Sequence, residues 1–187
     1  MRHRLLSRMR PFRINPDISA AETLPGYVYH DPDVFELQKK RVFARTWQLA
    51  GDATRLKTSG RVVPFTLLEG CLDEPLVWTC DEAAELHCLS NVCTHRGTLV
   101  VEGEGHANML RCRYHGWTYQ LDGVLRSAPE MDTAPDFEPA DIRLPQLAVR
   151  VWQGLVFAAV DEDRVLVHHH RRGPAVARRS DPTACDV

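Results

Sequence analysis

Short apolar runs broken by Gly, Pro and Asp dominate the middle of the chain, and one stretch with helical spacing precedes them. In that stretch Asp31 can cap, Pro32 suits the first helical position, and Asp33 and Glu36 complement the dipole, which predicts a helix from about Pro32 to Arg45. Val34, Phe35, Val42 and Phe43 recur at roughly helical spacing and would form its buried face. From Trp47 onward the pattern favours strands: Arg61 to Leu68, Pro75 to Thr79, Leu86 to Asn91, Trp117 to Leu121, Val124 to Arg126, Leu147 to Trp152 and Leu155 to Val160. Asp122-Gly123 and Gln153-Gly154 sit where two-residue hairpin turns belong. The block from about 47 to 160 is therefore expected to be mainly β, a small antiparallel sandwich or barrel behind an N-terminal helix. Ala128 to Pro145, with four prolines, reads as a long irregular connection.

The two ends read differently. Residues 1–22 form a basic arm with five arginines in the first 13 positions and no acid before Asp17, expected to be flexible, and residues 23–46 lead into the β-block with the helix. Such an opening loosely resembles an organelle transit peptide, but no cleavage signal marks it, so a solvated arm is preferred. Residues 161–187 hold five arginines, three consecutive histidines and little periodic apolar content, and are expected to be disordered.

Composition narrows the partners. A formal net charge of -2 and a pI near 6.5 provide no field that would recruit nucleic acid or an anionic membrane. The apolar run Leu155 to Val160 is six residues, against roughly 20 for a membrane span, so a cytoplasmic protein without membrane contact is expected. Six cysteines, at 71, 80, 88, 93, 112 and 184, occur without an export signal, which argues against a disulfide framework. Cys71, Cys80 and Cys88 lie on or near strands and are expected to be small core residues, and Trp47, Trp78 and Trp152 to fill the core. His30, His87 and His106 have no cysteine at ligand spacing and are expected to be ordinary surface or loop histidines.

One segment stands apart. CTHRG (93–97) and CRYHGW (112–117) repeat a Cys/His pair, first as Cys-x-His and then as Cys-x-x-His, with 16 residues between. Two thiolates and two imidazoles admit a tetrahedral zinc site or an iron-sulfur cluster. Zinc fingers usually draw two cysteines from one knuckle, whereas here each loop holds one cysteine and one histidine. That distribution suits a two-iron cluster with unlike ends, Cys93 and Cys112 on one iron and His95 and His115 on the other. Gly97 and Gly116 would let the backbone turn tightly and bring amide N–H groups near sulfur.

The pattern C-T-H-R-G, then C-x-Y-H-G-W with sixteen residues between its cysteine and the first histidine, followed by T-Y-x-L-D-G, resembles the Rieske [2Fe-2S] domain of the α subunit of Rieske non-heme iron oxygenases, the ring-hydroxylating dioxygenases and choline or carnitine-type monooxygenases. The flanks TLPGYVYHDPDVFELQKKRVFARTWQLAG (23–51) and VRVWQGLVFAAVD (149–161) are similar to that subunit too, so the resemblance covers about 140 of 187 residues. It implies a Rieske-type β-domain over 47–160, with Cys93, His95, Cys112 and His115 as cluster ligands and Gly97, Gly116, Trp117 and Tyr119 around them. Exchanging two thiolates for neutral imidazoles makes the oxidised cluster formally neutral, which raises its potential.

Two departures from the respiratory-chain Rieske pattern matter. That pattern has a serine two residues after the second histidine and a tyrosine four after it, both donating to sulfur; here Trp117 and Tyr119 stand there, which implies a lower potential. The places of its loop-joining disulfide hold Thr98 and Tyr114. The resemblance further implies an NAD(P)H-dependent reductase or ferredoxin as donor, other oxygenase subunits as neighbours, and a mononuclear Fe(II) held by two histidines and a carboxylate in a following catalytic domain. That domain is not expected within this chain: His168 to His170 are adjacent and in an extended chain would point to opposite faces, so no catalytic residue is assigned and the chain is read as truncated. The leading expectation is an electron-transfer module of an oxygenase; a stand-alone Rieske ferredoxin and a structural zinc module are the competing ones.

Overall fold

The computed structural model describes residues 12–56, 58–131 and 137–160. The first eleven residues of the basic arm and the tail with His168 to His170 lie outside the described residues. The chain divides into two compact units between Ala44 and Arg45.

In the first unit, a short helix α1 (Tyr27–His30) precedes α2 (Pro32–Arg41). Asp31 caps α2 as the sequence indicates, its carboxylate accepting from the Asp33 N–H at 2.9 Å with Pro32 in the first turn. The helix ends four residues earlier than expected. Val42 caps the end, its N–H donating to the Gln38 carbonyl at 2.8 Å, and a separate 3₁₀ turn, Phe43–Arg45, follows. Its expected apolar face is also narrower: Val34 is buried, while Phe35 and Val42 are exposed.

The second unit is antiparallel throughout. Its strands are β1 (Gln48–Asp52), β2 (Arg61–Leu67), β3 (Glu74–Cys80), β4 (Leu86–Ser90), β5 (Gly105–His106), β6 (Leu110–Arg111), β7 (Thr118–Tyr119), β8 (Leu125–Ser127), β9 (Gln146–Trp152) and β10 (Leu155–Ala159). A seven-stranded sheet runs β1-β10-β9-β4-β3-β2-β5, and β6-β7-β8 form a second, three-stranded sheet. Pro64 is tolerated inside β2 because β5 pairs only with Arg61 and Val62, which leaves the proline without a ladder partner on that side.

Two cores lie on opposite faces of β2, β3 and β4. Val62, Val77 and Leu89 point into one, with Leu110, Trp117, Tyr119, Leu125 and Leu144. The alternate residues Val63, Leu76, Trp78 and Cys88 point into the other, with Leu56, Leu67, Val156 and Ala158. A strand buried on both sides has no solvent face to make polar, and for that reason PLVWT reads as a continuous apolar run. Cys93 and Cys112 belong to the first core.

Both expected turns form, with different geometry. Gln153 and Gly154 both take positive φ, 48° and 80°, and join Trp152 to its partner Leu155 directly. In the other, Gly123 alone is left-handed (φ 88°), its N–H donates to the Gln120 carbonyl, and the Asp122 carboxylate accepts from Val124 N–H. Trp152, expected in the core, is 62% exposed because it stands at the β9–β10 hairpin end. Trp78 is buried in the second core, as are Cys80 and Cys88 in their strands, and burial pushes the Cys88 thiol well up. The five described cysteines are free thiols.

His87 is a correction. It is buried on β4, not a loop histidine. Its Nε2 lies 2.9 Å from Asp81 Oδ2, and its Nδ1 accepts from Gln146 Nε2 at 3.2 Å. Asp81 Oδ1 accepts from the N–H groups of Ala83 and Glu85, so one carboxylate locks the β3–β4 turn.

Candidate iron-sulfur site

The two Cys/His segments fold into matching tips. In the first, Cys93 N–H donates to the Thr98 carbonyl at 2.8 Å and Gly97 N–H to the Cys93 carbonyl at 3.0 Å. In the second, Cys112 N–H donates to the Trp117 carbonyl at 2.8 Å and Gly116 N–H to the Cys112 carbonyl at 3.1 Å. The flanking pairs match as well: Val92 bridges Leu99, and Arg111 pairs with Thr118. Each tip is a six-residue loop starting at its cysteine, and the glycine at its fifth position takes φ of 70° or 77°, where a β-carbon would be strained. The histidine is third in one loop and fourth in the other, which is why the spacings read Cys-x-His and Cys-x-x-His.

The loops come together. Cys93 and Cys112 are 3% and 2% exposed, whereas His95 is half-buried and His115 exposed. The two imidazole centroids lie 4.8 Å apart, edge to face. His95 stacks on Trp117 at 4.6 Å and 4°, Trp117 meets Phe137 at 5.8 Å, and Tyr114 stacks on His115 at 3.8 Å. Desolvation, then the neighbouring His115 and Arg96, hold the His95 imidazole below its ordinary range, which favours the neutral form that binds a metal.

Tyr119 is wholly buried, and its hydroxyl lies 3.2 Å from Cys93 Sγ and 3.0 Å from Thr94 Oγ1. Loop 1 is tied to the domain by Asn91, whose Oδ1 accepts from Val101 N–H and whose Nδ2 donates to the Val101 carbonyl, at 2.9 and 2.8 Å. Beyond loop 2, the Thr79 hydroxyl donates to the Leu121 carbonyl at 2.5 Å. Asn91, Thr94, Thr79 and Phe137 were not singled out by sequence reasoning. Only Asn91, two residues ahead of the first cysteine, carried a local hint, as a residue apt to satisfy loop backbone.

The donor set fits a [2Fe-2S] group: two thiols at the core side, two imidazoles at the surface side, and a hydroxyl within hydrogen-bond reach of a cysteine sulfur. A single zinc ion fits less well, because its tetrahedral ligands would crowd to about 3.5 Å from one another. Among the described residues, the donors gathered within 4.8 Å are Asp81, Glu85 and His87, not the Cys/His set, and the Asp81 and His87 atoms are already engaged in the β3–β4 turn.

An antiparallel β-domain presenting two superposable Cys/His tips defines the class of iron-sulfur-binding β-domains. Residues 46–146 match the Rieske [2Fe-2S] domain, more than half of the chain. The chain belongs to that family. It is 34% identical over 143 residues to the chloroplastic choline monooxygenase of Arabidopsis thaliana, covering 76% of this chain and 33% of that protein. It is 31% identical over 177 residues to the carnitine monooxygenase oxygenase subunit of Acinetobacter pittii (strain PHEA-2), covering 94% and 45%. The crystal structure of a quaternary ammonium Rieske monooxygenase in complex with L-carnitine superposes at TM-score 0.71 with 30% identity, over 76% of this chain and 40% of that one. Naphthalene 1,2-dioxygenase from Rhodococcus sp. superposes at 0.68 with 28% identity, over 74% and 32%. The chain thus spans between a third and just under half the length of the relatives it matches. Among the described residues, no helix is long and apolar enough to cross a membrane.

Proposed function

We propose that residues 47–160 form the electron-transfer domain of a Rieske-type oxygenase, with Cys93 and Cys112 holding the inner iron of a [2Fe-2S] cluster and His95 and His115 the outer one. The observation that carries this reading is the pair of matching loops that bury both cysteines and leave the histidines at the surface. When bound, the cluster supplies storage and release of one electron at a time.

The chain's own residues set the conditions. Cys93 and Cys112, packed in the first core, keep water from the sulfur side. With Cys93 as a cluster-bound thiolate, the Tyr119 hydroxyl 3.2 Å from its Sγ is the donor, and Trp117 holds the His95 ring face to face. The exposed edge of His115, with Tyr114 against it, presents the site to protein partners. The donor is a reductase or ferredoxin drawing on NAD(P)H, and the acceptor a mononuclear non-heme iron in a catalytic domain that uses O2 for hydroxylation. The similarity to a carnitine monooxygenase subunit extends over 177 residues, well past the residues of the Rieske domain itself, which favours an oxygenase part over a stand-alone ferredoxin.

Iron and acid-labile sulfide analysis with EPR of the reduced protein tests the assignment. Two irons and two sulfides per chain are expected, and Cys93→Ser or Cys112→Ser should lose both. Stoichiometric zinc with a silent spectrum, or full iron and sulfide in Cys112→Ser, overturns it. Because Trp117 replaces one hydroxyl donor, the midpoint potential is expected toward the lower end of the Rieske span of about -150 to +300 mV; a value in the upper third contradicts that.

A further inference from the structure

Thr94 lies between the first cysteine and the first histidine. Its hydroxyl oxygen is 3.0 Å from the Tyr119 hydroxyl, which is in turn 3.2 Å from Cys93 Sγ. Tyr119 is 0% exposed, and its hydroxyl meets these two groups and the Thr94 backbone N–H, which can only donate to it. Proton counting decides the direction of the chain. Each hydroxyl carries one proton, and a cysteine that ligates metal is a thiolate and carries none. If Tyr119 donated to Thr94, the contact with sulfur would have no proton in it. Both contacts are satisfied only when Thr94 donates to Tyr119 and Tyr119 donates to Cys93. Thr94 is exposed, so solvent can serve its remaining lone pairs.

We propose that Thr94 is a positioning residue for the electron-transfer site: its hydroxyl donates to Tyr119 and thereby aims the phenolic proton at Cys93 Sγ. This rests on Cys93 being a cluster ligand. Donation into the phenolic oxygen also polarises that hydroxyl, strengthening the next bond by about 10–30%. A hydrogen bond to sulfur stabilises the reduced, more negative state more than the oxidised one, so Thr94 acts to raise the potential through Tyr119.

The test is a set of midpoint potentials on the cluster-loaded protein, taken after iron, sulfide and EPR have been checked in every sample. Thr94→Val should lower the potential, by less than Tyr119→Phe does, and Thr94→Ser should restore it. In the Tyr119→Phe background, Thr94→Val should produce no further shift, since the effect passes through the phenol. A rise in Thr94→Val would show that Thr94 competes with sulfur for the phenolic proton. No change, or a shift that persists without the Tyr119 hydroxyl, also overturns the proposal. If the wild-type protein binds no iron and sulfide, the assignment of Cys93 has failed first, and the inference falls with it before any potential is read.

Discussion

Asn91→Leu removes the clamp that closes the first loop, and its effect can be worked from four hydrogen bonds. The residue is 3% exposed at the end of β4. Its backbone N–H donates to the Pro75 carbonyl and its carbonyl accepts from Val100 N–H, at 2.9 and 3.0 Å, and both survive the substitution. The two side-chain bonds to Val101, at 2.9 and 2.8 Å, do not. Each is worth about 1 kcal/mol net, and the half-buried Val101 amide and carbonyl left behind add part of a desolvation penalty of roughly 1–3 kcal/mol each. The expected loss is about 2–4 kcal/mol, a large share of a domain stability on the order of 5–15 kcal/mol. Urea unfolding at neutral pH followed by far-UV circular dichroism gives the number, and iron content measured on the same samples shows whether loop 1 still holds its part of the site. Asn91→Asp is the companion variant, because it keeps the acceptor for Val101 N–H but turns a carboxylate oxygen on the Val101 carbonyl. It should also destabilise at neutral pH. A loss below about 1 kcal/mol in Asn91→Leu would show that the loop closes without this side chain.

Gly123→Ala should destabilise more than Gly97→Ala in thermal melts. Both impose a left-handed conformation at about 1–2 kcal/mol, but a β-carbon at 123 would sit 3.0 Å from Leu89 Cδ2 and 3.3 Å from the Leu144 carbonyl, whereas at 97 it meets nothing within 4 Å; equal losses would refute this. Asp81 supplies a pH dependence. Burial alone would raise its carboxyl, but the hydrogen bonds from His87 and from the Glu85 and Ala83 N–H groups outweigh burial and hold it below its ordinary 3.8. A folded value below the unfolded one gives stability that is fully present above pH 3.8 and fades as pH falls through the folded value. The urea midpoints of wild type and Asp81→Asn should therefore differ at pH 7 and converge in acid, and a gap that stays constant down to pH 3 contradicts it. Trp117→Leu should change the reduced-state EPR spectrum and the potential by freeing the His95 ring, Trp117→Phe should restore both, and spectra identical for all three would show that the stack does not orient His95.

Local rules made much of the fold readable. Asp31-Pro32 marked a helix start, seven apolar runs marked seven of the ten strands, and the Gly at 123 and 154 marked turns. The strands that escaped notice carry weak patterns: QLAGD bends at a register shift between Leu49 and Gly51, and β5 and β6 are two residues each. His87 was misread because its partner depends on register. Only when Cys80 pairs with Leu86 does Asp81, six positions back, reach the imidazole. The same holds at the site. The ligand spacing could be read along the chain, but the contacts Thr94–Tyr119, His95–Trp117 and Asn91–Val101 exist only once one loop has met the other or has closed on itself.

The two loops share one backbone frame but not one role. His95, third in its loop, stacks on Trp117, the sixth residue of the other loop. His115, fourth in its loop, stacks on Tyr114, the third residue of the same loop. Both aromatic supports therefore come from loop 2, and the equivalent positions of loop 1 hold His95 itself and Thr98. Loop 2 is also the hairpin of β6 and β7, and Trp117 is backed by Phe137, whereas loop 1 closes through one isolated bridge and the Asn91 clamp. Both imidazoles thus rest against aromatic rings of loop 2, one of them the ring of its own neighbour Tyr114. Changes in loop 2 should disturb both histidines together, while changes to the loop 1 clamp should displace Cys93 and His95 and leave the His115–Tyr114 stack in place.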